Sequence, residues 1–369
     1  DLLRRLHLSP EQALLVALPL LLLALNSRWI WSGPHRDAWL YYGYFQNGVD
    51  YLRRFPDLYY GSRLSVILPG WLAHHLLPVA AANLALHLGL YWLALLSFNS
   101  LARELFGRRA ALLASIALGC QTFFLIPMGW NYVDGFGIAY FLLALAAVTH
   151  AARSPGRPWL LTLAGAAACA MAAANIFYAV YSVPLALAFL MLNPGGARRA
   201  LLPALGWFLV GGVGTFLLLG LLSAAAGGPW FFLEASVHYA GAALPKANPF
   251  RDPSYRWLRG AHHLVFPAAI TAGSCFLLLR AGWRRTRKPL SRESLLAHLS
   301  LLLVVGGITS GQVFGDRSQL QHFYYSSFMT PLAALALAAF LAPWVSPLGR
   351  RAFGTCVVVA LCAMAIPLA

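Results

Sequence analysis

Two aspartates stand where a carboxylate could carry out acid–base chemistry. Asp37 follows the first long apolar run, and Asp134 lies in the short turn between the third and fourth runs. Two carboxylates at one level, on neighbouring helices, can converge on a single polar pocket. One of them could then take a proton from an attacking hydroxyl, because partial burial and a neighbouring acid favour proton uptake. Alternatively, each is a solvated acid or a helix cap, since Asp134 precedes Gly135 at a predicted helix start.

An arginine within an aromatic cluster is the second candidate. Arg63 follows Tyr59, Tyr60 and Ser62 and precedes an apolar stretch. A guanidinium held in this way could bind a phosphate through two parallel hydrogen bonds. The alternative is an interfacial arginine that touches lipid headgroups non-specifically.

Two later segments hold weaker candidates. One is a polar cluster that suits a sugar or a phosphate, although tyrosines are frequent at any membrane boundary; it comprises Asp316, Arg317, Gln319, Gln321, His322, Tyr324 and Tyr325. The other is Glu234 with His238, four residues apart, which could bind a divalent metal. A lone pair at this spacing is a weak signal. The sequence therefore indicates no metal or other cofactor.

Composition predicts the elements that position these residues. The chain is 60% hydrophobic and 10% charged, with a mean hydropathy of +0.67. Soluble domains carry about 25% charged residues. Apolar runs long enough to cross a bilayer recur throughout, and their lack of alternation favours helices over a barrel. We predict an all-α, polytopic transmembrane protein forming a single domain over residues 1–369.

The predicted topology has about eleven spans. They cover about residues 12–31, 83–102, 110–127, 135–151, 159–174, 176–192, 201–225, 264–281, 295–312, 323–342 and 352 onward. Two long loops, residues 32–82 and 226–262, lie on the outer side in this count. In the first loop, the spacing of Trp39, Tyr42, Phe45, Val49 and Leu52 predicts an interfacial helix. A second interfacial stretch over residues 64–76 is expected to break at Pro69–Gly70.

Charge supports this count. The net charge of +16 comes from arginines and lysines in short turns, which is a topology signal and not a nucleic-acid-binding groove. With the N-terminus in the cytoplasm, as Arg4 and Arg5 predict, these basic turns fall on the cytoplasmic side. Asp37, Asp134 and Asp316 fall on the other side. The candidate site is thus predicted to be extracytoplasmic.

The layout resembles the GT-C superfamily of membrane glycosyltransferases, in particular bacterial enzymes similar to lipid A aminoarabinose transferase and to protein O-mannosyltransferases. Four segments carry the resemblance: HRDAWLYYGY (35–44), YYGSRLSVILP (59–69), NYVDGFGIAYFLLALA (131–146) and QHFYYSSFMTPLAALALA (321–338). It implies the plasma membrane of a bacterium and a polyprenyl-phosphate-linked sugar as donor. The acceptor would be a hydroxyl of a lipid, glycan or protein, and neither it nor the sugar is specified.

The resemblance also implies roles for the residues. Asp37 would be the base, and Asp134 would orient the acceptor or strengthen that base. Arg63, with Tyr59, Tyr60, Arg317 and His322, would bind the lipid phosphate. Weaker candidates for sugar or acceptor binding are Tyr41, Tyr42, Asn131, Tyr324 and Lys246.

Two other classes compete with this hypothesis. A transporter or flippase of a lipid-linked saccharide would place its ionisable residues at mid-span, whereas here they crowd the outer boundary. Another membrane transferase, similar to an O-antigen polymerase or an acyltransferase, would also use outer loops but need not place acids after spans one and three.

Overall fold

The structure, a computed structural model, describes residues 9–26, 29–30, 36–154, 156–192, 197–243 and 328–365. Every regular element in these ranges is helical, as the composition predicted. The α-helices are α1 Pro10–Leu25, α2 Arg36–Arg54, α3 Leu64–Leu76, α4 Val79–Phe106, α5 Arg108–Gly119, α6 Thr122–Gly129, α7 Val133–Arg153, α8 Pro158–Ala174, α9 Ser182–Leu192, α10 Ala197–Ala225, α11 Glu234–Ala243, α12 Met329–Val345 and α13 Arg350–Ala365. A 3-10 helix, Ile176–Tyr181, precedes α9.

Three of these helices are long and apolar enough to cross a membrane: Val79–Phe106, Val133–Arg153 and Leu201–Ala225. A fourth crossing results if α5 and α6, which are bent by 65° at their junction, count as one span. Helices α1, α3, α8 and α12 are apolar but shorter. The predicted spans at residues 264–281 and 295–312 lie outside the described residues, so the eleven-span topology stays a prediction.

The described residues divide into two compact units. The first is drawn from Asp1–Trp29, Leu95–Ile126 and Phe250–Ala369, and the second from Ile30–Ala94 and Pro127–Pro249. The two acids and Arg63, which the sequence singled out, all belong to the second unit. The prediction of a single domain over the whole chain stays a prediction.

Helix α5 is the centre of the first unit. It packs against α1, α12 and α13. At its start, Arg108 forms an ion pair with Glu11 of α1. Arg109 donates to the carbonyl oxygen of Ser346 at 2.9 Å, just beyond the end of α12, and lies 5.3 Å from the ring centre of Phe353 in α13. An arginine thus caps the free carbonyls of a helix C-terminus.

Helix α8 is the centre of the second unit, where it contacts α3, α7, α10 and the 3-10 helix. Its closest neighbour is α10, and glycines permit that approach. A Cβ on Gly165 would meet the carbonyl oxygen of Phe208, and one on Gly211 would meet that of Thr162. Small residues at a helix contact let two backbones come together, as is common between transmembrane helices.

The two helices of the first polar window, α2 and α3, hold the candidate site. Helix α2 was predicted, but its buried face differs from the expected one. Tyr41, Tyr44, Phe45 and Leu52 are buried, whereas Trp39 is 53% exposed. The predicted face included Trp39 because the spacing of apolar residues alone does not distinguish which side of the helix packs.

The expected break at Pro69–Gly70 does not occur, since α3 runs continuously through both residues. Proline lacks the N–H that would bond to the carbonyl four residues earlier, which belongs to Ser65. That oxygen accepts a hydrogen bond of 2.8 Å from the Tyr140 hydroxyl of α7 instead. The side chain from a neighbouring helix replaces the missing bond and lets α3 continue.

The segment predicted as span six is interrupted. Instead of one helix over residues 176–192, the chain forms the 3-10 helix Ile176–Tyr181 and then α9. Asn175 ends α8, and its side chain accepts a hydrogen bond of 3.2 Å from the backbone N–H of Phe177. Asparagine favours such local side-chain-to-backbone bonds, which compete with helix continuation.

Candidate active site

Asp37 is the second residue of α2. Its Oδ1 accepts a hydrogen bond of 2.8 Å from the Tyr60 hydroxyl. Burial, together with this bond, raises the pKa of Tyr60, so the hydroxyl stays protonated and donates. The Asp37 side chain is half-buried, which leaves the carboxylate able to meet a ligand. The alternative interpretation of Asp37, a purely solvated loop acid, does not fit this contact.

Arg63 directly precedes α3 and is 7% exposed. Its Nη1 donates a hydrogen bond to the Tyr41 hydroxyl. The guanidinium carbon lies 4.8 Å from the ring centre of Tyr59, 5.5 Å from that of Tyr60 and 5.8 Å from that of Tyr41. This is the aromatic enclosure that the sequence predicted. A freely solvated interfacial arginine, the alternative, does not describe a side chain buried to this extent.

The Arg63 guanidinium retains unused hydrogen-bonding capacity. Its Nε is buried and has no partner among the described residues. Within that same part of the chain, Arg63 forms no ion pair with a carboxylate. A guanidinium has five N–H donors, and a buried cation without a counter-ion costs several kcal/mol. Both features suit an anion that arrives from outside the protein.

Asp134 is the second residue of α7 and is 1% exposed. It does not cap the helix, since Tyr132 is the N-cap and makes no side-chain capping bond. The Asp134 Oδ1 instead accepts a hydrogen bond from the Tyr178 hydroxyl of the 3-10 helix. Its Oδ2 has no hydrogen-bond partner in the described ranges. The helix-cap alternative for Asp134 is therefore wrong.

Close backbone packing fixes the Asp134 end of α7. A Cβ at the following residue, Gly135, would meet the carbonyl oxygen of Pro127. The last turn of α6 therefore lies directly against the first turn of α7, and only glycine fits between them. This contact explains the choice of glycine better than a requirement for an unusual backbone conformation, since Gly135 is not among the described glycines with positive φ.

Tyr132 links the two acids. Its ring centre lies 5.9 Å from that of Tyr41, edge to face. Burial raises the pKa of the Tyr132 hydroxyl; the charge of Arg63 lowers it, and those of Asp134 and Asp37 raise it. Tyr132 thus packs on Tyr41, whose hydroxyl accepts a hydrogen bond from Arg63, and it precedes Asp134 by two residues along the chain.

Helix α11 forms one wall of the site. Tyr239 stacks on Tyr59, with ring centres 4.4 Å apart and an interplanar angle of 9°. The Ser236 and Ser62 hydroxyls are hydrogen bonded. The loop that carries Arg63 is thus held from outside by the helix in the second polar window.

The other predicted residues lie elsewhere or outside the described part of the chain. Tyr42 packs edge to face on Trp39 and His74 and accepts a hydrogen bond from Gln46. Asn131 is fully buried and lies beside His87. Their proposed contact with a sugar stays a prediction. The remaining candidates, outside the described residues, are Arg317, His322, Tyr324 and Lys246.

The weak metal candidates do fall on one helix. Glu234 is the first residue of α11, His238 lies one turn later, and both side chains are exposed. No group of three metal-ligating side chains occurs in the described ranges. A catalytic zinc ordinarily has three protein ligands, so this pair alone does not make a metal centre.

The sequence prediction missed Tyr178 and Tyr132 as members of the site. Tyr178 is separated from Asp134 by 44 residues, and its position depends on the break after α8. Asn175 was the one available signal, because it interrupts an apolar run and favours a local turn. For Tyr132, its position two residues before Asp134 was the signal.

No protein-family model matches the chain, and a search of curated proteins finds no match. The chemistry of the site therefore follows from its geometry. The Arg63 guanidinium, which is buried and forms no ion pair among the described residues, can bind a phosphate. The half-buried Asp37 carboxylate can take a proton. The buried Asp134 carboxylate lies two residues after Tyr132.

Proposed function

We propose that the protein is a membrane glycosyltransferase of the GT-C type, which transfers a sugar from a polyprenyl-phosphate carrier to a hydroxyl acceptor. The observation that carries this proposal is Arg63, a buried cation with no counter-ion among the described residues, close to a carboxylate that a ligand can reach. In this proposal, the lipid-linked phosphate binds to the Arg63 guanidinium, and the hydroxyl nucleophile binds beside the Asp37 carboxylate.

The proposed reaction is a displacement at the anomeric carbon of the sugar. The acceptor oxygen forms a bond to this carbon, and the bond from the carbon to the phosphate oxygen breaks. Asp37 takes the proton of the acceptor hydroxyl. Polyprenyl phosphate leaves with the electron pair, and the Arg63 guanidinium stabilises its negative charge.

Exposure assigns the two acids different roles. Asp37 is half-buried, whereas Asp134 is 1% exposed and bonded to Tyr178. A general base must come within hydrogen-bond reach of the hydroxyl that it deprotonates. Asp37 is therefore the base in this proposal, and Asp134 acts through the site's electrostatics and through Tyr132.

The tyrosines keep the charged groups ready for a ligand. Burial raises the pKa of Tyr41, so its hydroxyl stays neutral and accepts a hydrogen bond from Arg63 without cancelling the positive charge. Tyr60 likewise donates a hydrogen bond to the Asp37 carboxylate. Neutral partners orient both ions while preserving their charge for the reaction.

The proposal includes the predicted membrane arrangement, with about eleven spans and the site at the extracytoplasmic face of a bacterial plasma membrane. Its support is the position of both acids at the first turn of a helix. Helix α7 is 21 residues long, which corresponds to about 30 Å, the hydrocarbon thickness of a bilayer. Asp134 therefore lies at one boundary of that candidate span.

The test is incubation of the purified protein with a panel of radiolabelled polyprenyl-phosphate sugars, with and without hydroxyl acceptors. We expect release or transfer of sugar from at least one donor. Asp37→Asn should lower this rate by roughly 100-fold or more, the usual contribution of a general base. Asp50→Asn is the matched control, because Asp50 is an exposed aspartate of the same helix.

Full activity of Asp37→Asn would remove that residue from the mechanism. Movement of intact donor across proteoliposome membranes, with no cleavage of the bond between sugar and phosphate, would support the flippase alternative instead. Both outcomes are read from the same labelled donor.

A further inference from the structure

The interruption after α8 brings a tyrosine hydroxyl against the buried acid. The chain leaves the α-helical conformation at Asn175 and forms the 3-10 helix Ile176–Tyr181 inside a run that is apolar enough to have been predicted as a span. Short 3-10 turns are frequent at helix ends and as connectors, so the interruption by itself indicates no function. Any functional reason for it must come from the side chains that it positions.

Tyr178 supplies that reason. It is 2% exposed, and its hydroxyl donates to Asp134 Oδ1. We propose that Tyr178 is a positioning residue, which holds the Asp134 carboxyl group in one orientation toward Tyr132 and Arg63. The proposal rests on the proposed function for its catalytic consequence, whereas the contact itself can be tested independently.

The local structure is built to hold this hydroxyl in place. The Asn175 side chain fixes the first turn of the 3-10 helix through its bond to Phe177. The 3-10 helix packs against both α8 and α11, so it cannot turn freely about its axis. Tyr178, the buried residue of this 3-10 helix, thus approaches Asp134 from a segment that contacts two helices.

The orientation of Asp134 matters because its second oxygen is not held. With Oδ1 bonded to Tyr178, Oδ2 is the oxygen with no hydrogen-bond partner in the part of the chain that the structure describes. Without the Tyr178 hydroxyl, the carboxyl group could rotate and exchange its two oxygens. The electrostatic effect of Asp134 on Tyr132 would then no longer be fixed in direction.

The experiment is a double-mutant cycle of Tyr178→Phe and Asp134→Asn, measured by steady-state transfer kinetics. Tyr178→Phe keeps the ring and removes only the hydroxyl. We expect it to lower kcat roughly ten-fold, as for loss of one buried hydrogen bond to a carboxyl group, with a change of less than about three-fold in the donor KM. Tyr51→Phe is the control and should retain its rate, because the Tyr51 ring packs on Tyr44 and Phe55, which have no role in the proposed site.

Coupling distinguishes positioning from a general packing role. If Tyr178 acts through Asp134, Tyr178→Phe added to Asp134→Asn should cause no further loss of rate. Independent, multiplicative losses would overturn the proposal, and so would a Tyr178→Phe variant as active as the unaltered protein.

A second readout does not depend on activity. The infrared carboxyl band that disappears in Asp134→Asn should shift in Tyr178→Phe and stay in place in Tyr51→Phe. If the protein shows no transferase activity, or if Asp134→Asn leaves no measurable rate, the shift of this band still tests whether Tyr178 contacts Asp134. An unshifted band would refute the contact, whereas a shifted band in an inactive protein would retain the contact and reject only the proposed function.

Discussion

Replacement of Arg63 by methionine should separate the stability of the protein from its affinity for the donor. Arg63 is 7% exposed, and among the described residues its guanidinium donates a hydrogen bond to Tyr41 and lies close to three aromatic rings. A hydrogen bond from a charged donor contributes about 1.5–3 kcal/mol, and a cation–π contact about 0.5–2 kcal/mol. Removing the cation from water costs several kcal/mol in the opposite direction.

These contributions nearly cancel, so we expect Arg63→Met to change the free energy of unfolding by less than about 2 kcal/mol. Donor binding should respond very differently. Loss of a charged partner from a buried pair costs about 2–5 kcal/mol, which is roughly 30- to 4,000-fold in Kd. The donor affinity of Arg63→Lys should fall between that of the unaltered protein and that of Arg63→Met, since lysine keeps the charge but not the planar fork that binds two phosphate oxygens.

The assay combines thermal unfolding with binding of a fluorescent polyprenyl-phosphate sugar to protein in nanodiscs. Arg54→Met is the matched control, because Arg54 is an exposed arginine at the end of α2. Unchanged donor affinity in Arg63→Met would refute the phosphate-binding role. A loss of more than about 4 kcal/mol in unfolding free energy would show that Arg63 is structural, since it exceeds the expected balance of burial and bonding.

Two further predictions concern packing and metal ions. Gly135→Ala should destabilise the protein by about 1–3 kcal/mol, because its Cβ would meet the Pro127 carbonyl; Gly89→Ala, with open space around the new Cβ, should stabilise it by roughly 0.5–1 kcal/mol, and thermal unfolding measures both. Glu234→Ala and chelation by EDTA should each leave the transfer rate within about two-fold of its starting value, since a catalytic metal needs more ligands than α11 offers. Inactivation by EDTA that a divalent ion reverses would contradict this expectation.

The charged members of the site could be predicted from the sequence. Acids are scarce in this chain, with 11 among 369 residues, so an aspartate at the end of an apolar run is conspicuous. Asp37 and Asp134 were chosen on this basis, and both lie in the second unit near Tyr132. Arg63 was chosen for its neighbours Tyr59 and Tyr60, and both of their rings lie beside its guanidinium, together with that of Tyr41.

The hydrogen-bonding partners could not be predicted in the same way. Tyrosines occur at the ends of apolar runs in most membrane proteins, so neither Tyr132 nor Tyr178 stood out among the 15 in this chain.

Predictions from one segment of sequence also failed where a neighbouring helix supplied a contact. Pro69 would break an isolated helix, but the Tyr140 hydroxyl from α7 bonds to the carbonyl that the proline leaves free. Such compensation depends on tertiary contacts, which a pattern along one segment does not contain.

In the proposed mechanism, the arrangement of tyrosines would keep the Asp37 base and the Arg63 cation apart, so that each could act on the substrate. If Asp37 were paired directly with Arg63, each would neutralise the other, and neither could act on a substrate without first breaking that ion pair. Tyr60 separates them, since its hydroxyl bonds to Asp37 while its ring lies 5.5 Å from the Arg63 guanidinium. In the proposed reaction, a bound phosphate would pair with the guanidinium and leave the Asp37 carboxylate free. The buried cation would then acquire its counter-ion only when the donor binds, which favours binding of the donor over stability of the empty site.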